Sequence, residues 1–464
     1  MSAYAIICDH VLHPELRRIP RTYERIWLST DREQGNVYLD PARLEDGIGA
    51  QLSPLVLDLC EIAAYVYLGD KAVSRGRYEK WVRDLSFYIP VREPERWNEV
   101  RTLLTHTVGT LSGDNVQFHF HRKRERKSRQ KQRPIPEQPA ASQPDCVSLF
   151  SGGLDSLAGA VHLTKAGRRP LLASHYASGL RSLQGNLAEA LGGELGHTYS
   201  HFQYRVSGCR RKRTRHLLVT PESSHRARSF MFLGFAAAAA EARGLSEIFI
   251  CENGVLSLNV PISDARKGTR STHHAHPLYL RYFNQLINAL FQRSFAVLNP
   301  FFFLTKRQEV ELLHRHGLEE LIRESVSCWG YPNLTLRFPG SNHCGACIPC
   351  LVRRISTISA DLERFDDRYV TDVFDPDAEL SDTQLRNVED LVYFAERFAH
   401  SSKSDLLRRF PELVMAELAT NGVPGERLDR MIDVYRRFAE DLLAITAARR
   451  PQYLTGSRRE EQVA

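Results

Sequence analysis

Between residues 146 and 250 short apolar runs alternate with helical stretches, and this alternation constrains the fold more than any other feature of the chain. CVSLFS precedes a helix from Asp155, PLLASHYA precedes one near 181–193, HTYSHFQYRV leads into the long helix RSFMFLGFAAAAAEARG, and SEIFICENG follows. Apolar strands separated by helices belong in a parallel sheet covered on both faces.

The first of these strand-to-helix turns carries the sharpest motif, Ser151, Gly152, Gly153, Leu154, Asp155 and Ser156. A strand, a glycine turn and a helix N-terminus bring successive backbone N–H groups and the positive end of the helix dipole to one concave spot, which suits phosphate. Two glycines let backbone approach an anion without a Cβ in the way. Ser151 and Ser156 add hydroxyl donors, and Asp155 is placed to cap the helix or help hold a metal. A bare SGG would be an ordinary turn with an Asp cap; the six-residue motif after a buried strand is more specific. It lacks the GK[ST] ending of the other common phosphate loop, so no loop lysine waits for a γ-phosphate.

Nine cysteines are present, and Cys328, Cys344, Cys347 and Cys350 fall close together while the rest are scattered. That spacing is metal arithmetic rather than a disulfide framework. Four thiolates in a tetrahedron are what a structural zinc requires, with Sγ atoms about 4 Å apart; an iron–sulfur cluster is the rival. His343 adjoins Cys344 and reads as a solvent-exposed loop residue rather than a ligand.

Around this centre, 464 residues call for more than one domain. Residues 1–120 mix a helical pattern at 53–68 with strand-like segments at 84–91 and 115–122, an α+β unit with no legible motif. Residues 121–145 turn basic and then proline-rich, a linker. Residues 146–355 hold the α/β unit with its cysteine knuckle, and 356–464 show helical periodicity ending in a loose tail. The fold class expected is thus α/β: a Rossmann-like parallel sheet with a zinc knuckle, an α+β N-terminal domain and an α-helical C-terminal region. No run is long and apolar enough to span a membrane, and MSAYAIICDHVLHPEL carries charge too early for a secretory segment, so a cytoplasmic location and no membrane partner are expected. The net charge of +7 comes largely from HRKRERKSRQKQR at 121–133 and RRKRTR at 210–215. With no interleaved aromatic residues, the first run reads as a solvated linker, and a nucleic-acid partner is not favoured.

SGGLDS in this position resembles the signature of the pyrophosphatase-loop ATPases. The resemblance implies a loop that grips the β and γ phosphates, cleavage of ATP to AMP and pyrophosphate, and adenylation of a substrate oxygen, with ATP and Mg2+ as cofactors beside Zn2+. Loop, knuckle and their order are similar to the 7-cyano-7-deazaguanine synthases of the queuosine pathway over residues 146–356. That similarity takes in Pro300 with Leu304-Thr305-Lys306, Ser327-Cys328, CGACIPCLVRR, and a helix starting at Arg228. It implies that Ser151, Gly152, Gly153, Leu154, Asp155, Ser156, Arg228 and Lys306 bind ATP. Asp155, Ser151 and Lys306 would be catalytic, and the four cysteines would hold zinc. The substrate implied is a small deazapurine-like carboxylate.

Ser229 stands where that family has Asn after the arginine, the cysteine spacing is longer, and residues 252–277 replace a substrate-contacting segment. These departures and the added terminal regions are similar to queuosine-synthase-like proteins of bacterial anti-phage defence systems, which implies a protein partner. Segment 252–277 would then be the substrate loop; it contains Ser271, Thr272, His273, His274 and His276, with Glu252 and Asp264 as acid, base or metal groups and the histidine trio suited to a second metal or an anion, although a polar loop of no catalytic role is the commoner outcome. Two other functions stay open. One is an RNA-modifying enzyme of the same fold, for which Cys146 and Cys251 would have to be reactive rather than buried. The other is a non-catalytic nucleotide-binding subunit of a defence complex.

Overall fold

The computed structural model describes residues 3–9, 16–17, 19–31, 35–75, 81–123, 143–177, 179–208, 222, 224–262, 274–331, 333–420 and 425–454. The first unit contains β1 (Ala3–Cys8), β2 (Glu24–Leu28), the short β3 (Val37–Tyr38), β4 (Asp84–Val91) and β5 (Asn115–Arg122). β2, β1, β4 and β5 form one sheet in that order, and all its pairings are parallel. The helix expected over 53–68 runs Pro54–Ala72, capped by Ser53, whose side chain accepts from the Val56 N–H. Lys123, the last described residue of the basic run at 121–133, pairs with Asp9 and Glu61. The remainder of that run, RRKRTR, and Asp264, Ser271, Thr272 and His273 lie outside the described residues.

The second unit is the parallel sheet that the alternation requires, built from β6 (Cys146–Leu149), β7 (Pro170–His175), β8 (His201–Tyr204), β10 (Glu247–Phe249) and β11 (Ala296–Leu298). β9 (Ser207–Gly208) pairs antiparallel with β3, tying the two units together. The order β11-β10-β6-β7-β8 reverses direction at β6, so a crevice opens between the carboxyl ends of β6 and β10. In open α/β sheets that reversal point is where ligands bind.

The two units share one core. Helix Arg228–Ala242 is buried along most of its length because it lies between the sheet and helix Pro54–Ala72. Its small residues permit close approach: a Cβ on Gly234 would stand 3.0 Å from that of Ala63. On the other side, Phe235 stacks on Tyr204 at 4.2 Å.

The C-terminal region is helical as its periodicity indicates, with helices Asp382–His400, Lys403–Arg409, Pro411–Ala419 and Glu426–Arg449. The stretch 403–419 is broken before Pro411, where a proline lacks the N–H to continue a helix. The last long helix braces the site: Tyr435 donates to the Val255 carbonyl and accepts from the Val260 N–H, both at 3.0 Å. Arg437 donates to Gln308 and to the Phe303 carbonyl. Helix Ile348–Ser359 runs across the domain limit expected at 355. Among the described residues no helix is long and apolar enough to cross a membrane.

Candidate functional site

β6 ends at Leu149 and helix Leu154–Lys165 begins five residues later, so the SGGLDS motif forms the turn at the reversal point. Gly152 has φ +84°, a conformation that favours glycine. The turn is stiffened from inside: the Gly153 N–H donates to Ser151 Oγ at 3.2 Å, and Ser156 Oγ donates to the Gly153 carbonyl at 2.9 Å. Gln184 Nε2 links the carbonyls of Ser151 and His175. Among the described residues no acceptor takes the N–H groups of Gly152, Leu154, Asp155 or Ser156. The first turn of any helix leaves such donors unsatisfied, and here nothing caps them.

Asp155, in the first turn, reaches a buried polar cluster. Lys306 forms an ion pair with its carboxylate, and Asn253 Nδ2 donates to it at 2.7 Å. Lys306 opens helix Lys306–Arg315, fixed by a capping box between Thr305 and Gln308. Burial works to raise the Asp155 carboxyl, but the Lys306 charge and hydrogen bonds from Glu309, Lys306 and Asn253 outweigh it and hold it well below the usual carboxylate range. Glu309 is fully buried, and neither of its oxygens receives a donor. Burial and the negative charge of Asp155 push Glu309 well up, which favours its protonated form, and in that form it is a donor to Asp155.

On the β10 side, Glu252 follows the strand and pairs with His274, Nε2 to Oε2, at 2.7 Å. The Glu252 carbonyl accepts from Asn299 and Ser257, and the Gly254 N–H donates to the Leu304 carbonyl, which fixes the crevice wall. Ser229 donates to the His274 carbonyl at 2.9 Å, so this residue holds the far end of segment 252–277 in place. Burial and nearby Asp155 raise Glu252. Burial opposes the charged form of His274, but Glu252 prevails and raises it above its ordinary value. His276 is not part of this pair: it is buried, and its Nδ1 accepts from the Leu278 N–H to cap helix Pro277–Phe291.

The four cysteines converge. Their Sγ atoms all lie within 4.8 Å of one another, with Cys344 and Cys350 3.8 Å apart, slightly wider at the extreme than the expected spacing. One tetrahedral ion with metal–sulfur bonds of about 2.3 Å fits such a group. The Gly330 and Cys347 N–H groups donate to the sulfurs of Cys328 and Cys344, as expected around thiolates. Gly345, at φ +77°, makes the turn between the first two knuckle cysteines, and a Cβ there would lie 1.6 Å from the Thr371 carbonyl oxygen. His343 is buried rather than solvent-exposed: its Nε2 accepts from the Ser327 N–H, and it is no ligand. Fully buried Arg353 ties the knuckle helix to Asp366, Ser325 and the Ile322 carbonyl.

The candidate residues thus fall into two connected groups, the loop with Asp155 and Lys306 at the crevice, and the knuckle behind it. Arg228 stands apart from the ion pair as an exposed guanidinium over the Phe232 ring, though near enough to His274 to disfavour its protonation. Cys146 and Cys251 are buried, and burial raises both thiols. Glu309, Asn253 and Gln184 escape a reading of the sequence. A hint for Glu309 exists in its i+3 spacing from Lys306, which places both on one helix face.

Fold and site together define an α/β domain with a glycine-turn loop of unclaimed backbone N–H groups at the reversal point of its sheet and a closed four-cysteine centre that suits zinc. Residues 219–360 match the family model described as Queuosine biosynthesis protein QueC. That span is just under a third of the chain and begins after the loop, and it supports a QueC-like, ATP-using pyrophosphatase-loop family. No curated protein matches the chain.

Proposed function

We propose that the protein is a QueC-like adenylating enzyme that converts ATP to AMP and pyrophosphate while activating a 7-deazaguanine-type carboxylate, and passes the acyl group to ammonia or to an amine of a partner protein. The observation that carries this reading is the set of unclaimed loop amides beside the Asp155–Lys306 pair at the sheet's reversal point.

In this reading the amides of residues 152–156, with Ser151 and Ser156, hold the β and γ phosphates of ATP carried with Mg2+. A carboxylate oxygen of the acceptor attacks the α-phosphorus, the bond to the bridging oxygen breaks, and pyrophosphate leaves on the loop. Lys306 and the amides stabilise the charge that develops there. The nucleophile then attacks the acyl carbon, AMP departs, and the His274–Glu252 pair accepts the proton that the amine sheds. Zinc, held by Cys328, Cys344, Cys347 and Cys350, is structural, because four thiolates leave it no open position. The N-terminal unit, the C-terminal helices and the altered 252–277 segment favour a role in anti-phage defence, in the cytoplasm and beside a protein partner, over the supply of a tRNA precursor.

The test is exchange of labelled pyrophosphate into ATP in the presence and absence of 7-carboxy-7-deazaguanine. Acceptor-dependent exchange is expected. Absence of exchange with an acceptor that demonstrably binds would leave the non-catalytic nucleotide-binding reading in its place.

A further inference from the structure

Helix Pro54–Ala72 belongs to the N-terminal unit, yet its last turns reach the carboxyl end of β7. Tyr67 places its ring centroid 6.2 Å from those of both His175 and His225, and its hydroxyl lies 3.5 Å from His225 Nδ1. His175, the last residue of β7, is 5.7 Å from Phe232. Two cations border these rings: Lys71 Nζ lies 5.7 Å from the centroid of Tyr67, and Arg228 Cζ 5.6 Å from that of Phe232. Among the described residues neither cation reaches a carboxylate. The nearby Asp70 is already engaged by Arg75, Arg83 and the Ala227 N–H. His175, His225, Phe232 and Lys71 are all half-buried.

We propose that Lys71 and Arg228, with the ring wall of Tyr67, His175 and Phe232, form a subsite for a planar heterocycle bearing an anionic group, and that the N-terminal unit thereby completes the ligand site. The electrostatics agree. Burial and Arg228 together lower the Lys71 ammonium, and burial with these same two cations holds His175 and His225 down to about 4. Both histidines are therefore neutral at pH 7 and present flat faces for stacking, while among the described residues two adjacent cations lack an anion that would relieve their repulsion. The position is adjacent to the phosphate loop, since Gln184 bridges the Ser151 and His175 carbonyls at 3.1 and 3.0 Å. This assignment rests on reading that loop as the pyrophosphate grip. A heterocycle with an anion in this place is either the nucleoside monophosphate end of ATP or the acceptor carboxylate.

Calorimetric titrations of the full chain with AMP, 7-carboxy-7-deazaguanine and inorganic pyrophosphate decide between them. Lys71→Gln and, at an exposed position that tolerates change, Arg228→Gln should each weaken one of the first two ligands about tenfold, and Lys71→Arg should retain it. Pyrophosphate, held by the loop alone, should bind all variants alike. The ligand that loses affinity identifies the occupant. If pyrophosphate fails to bind even the wild type while the heterocycle responds to Lys71, the loop reading falls and the subsite stands. Unchanged binding of both heterocycles by both Gln variants, or no binding of either by the wild type, would overturn the subsite.

Discussion

The Val326 N–H donates a 2.8 Å hydrogen bond to the carbonyl of Gly152, so the SGGLDS loop hangs from the segment that leads into Cys328 two residues later. A Cβ on Gly153 would come within 3.3 Å of the Val326 carbonyl oxygen, which leaves little slack between the two. The cysteine knuckle therefore acts as the backing of the loop. Elemental analysis should find one zinc per chain. Cys344→Ser, or stripping with a chelator, should lower both the melting temperature and the affinity for ATP, the latter by about tenfold, or ~1.4 kcal/mol. A metal-free protein that melts lower yet binds ATP unchanged would break the proposed link between knuckle and loop.

Asp155 and Lys306 differ in what their removal exposes. Lys306→Met leaves Asp155, Glu252 and Glu309 without the central cation, and breaking one side of a buried pair typically costs about 3–5 kcal/mol. Asp155→Asn should destabilise less, because Glu309 is then free to ionise beside Lys306, whose charge it already feels. Its effect belongs in the chemistry: without the Asp155 carboxylate Lys306 loses the partner that positions it, and misplacing one cation at a developing charge is worth on the order of a hundredfold in rate, with ATP binding less affected. Urea denaturation and single-turnover rates of both variants check the contrast.

Glu309 tests the protonation state of the cluster. Its carboxyl is pushed up from 4.5 by burial first and then by Asp155, so the folded protein holds a proton that the unfolded chain releases. Where the native state binds more protons, stability falls as pH rises, by up to about 1.4 kcal/mol per pH unit. The contribution is complete below pH 4.5 and is lost as pH climbs through the folded value. Glu309→Gln, which keeps a donor facing Asp155, should abolish this slope. Equal pH dependence of stability in wild type and variant would mean that Glu309 is ionised.

His274 and Glu252 set the pH dependence of acyl transfer. As a base His274 must first lose its proton, and Glu252 raises its value above 6.5. The rate of AMP release from a preformed adenylate should therefore rise with pH through a midpoint above 6.5. Glu252→Gln removes the stabilising charge and leaves burial and Arg228 pushing downward, so the midpoint should move to lower pH. His274→Gln should flatten the profile while pyrophosphate exchange persists. A Glu252→Gln profile with its midpoint unmoved would remove the pair from the transfer step.

What could be read from the sequence is what local pattern encodes. The loop and the knuckle are contiguous runs whose spacing states their geometry, and the strand–helix alternation requires the parallel sheet. The cluster behind Asp155 is not of that kind. Asn253 and Lys306 are 98 and 151 residues away from it, and Glu309 looks like any polar residue on an amphipathic helix until burial is known. His343 illustrates the reverse error, since a histidine in a glycine-rich turn gives no sign of the Tyr369 ring 5.2 Å away or of the Ser327 amide it accepts from. Lys71 belongs to a unit with no motif of its own, and only the packing of helix Pro54–Ala72 on helix Arg228–Ala242 brings it to the sheet edge.

The central claim is the bond that breaks in ATP. With ATP labelled separately on the α and γ phosphates, Mg2+, the zinc-loaded protein and 7-carboxy-7-deazaguanine, the α label should appear in AMP and the γ label in pyrophosphate. Omitting the carboxylate should suppress both. Recovery of the α label in ADP and the γ label in inorganic phosphate would contradict adenylation and with it the assigned role of the loop.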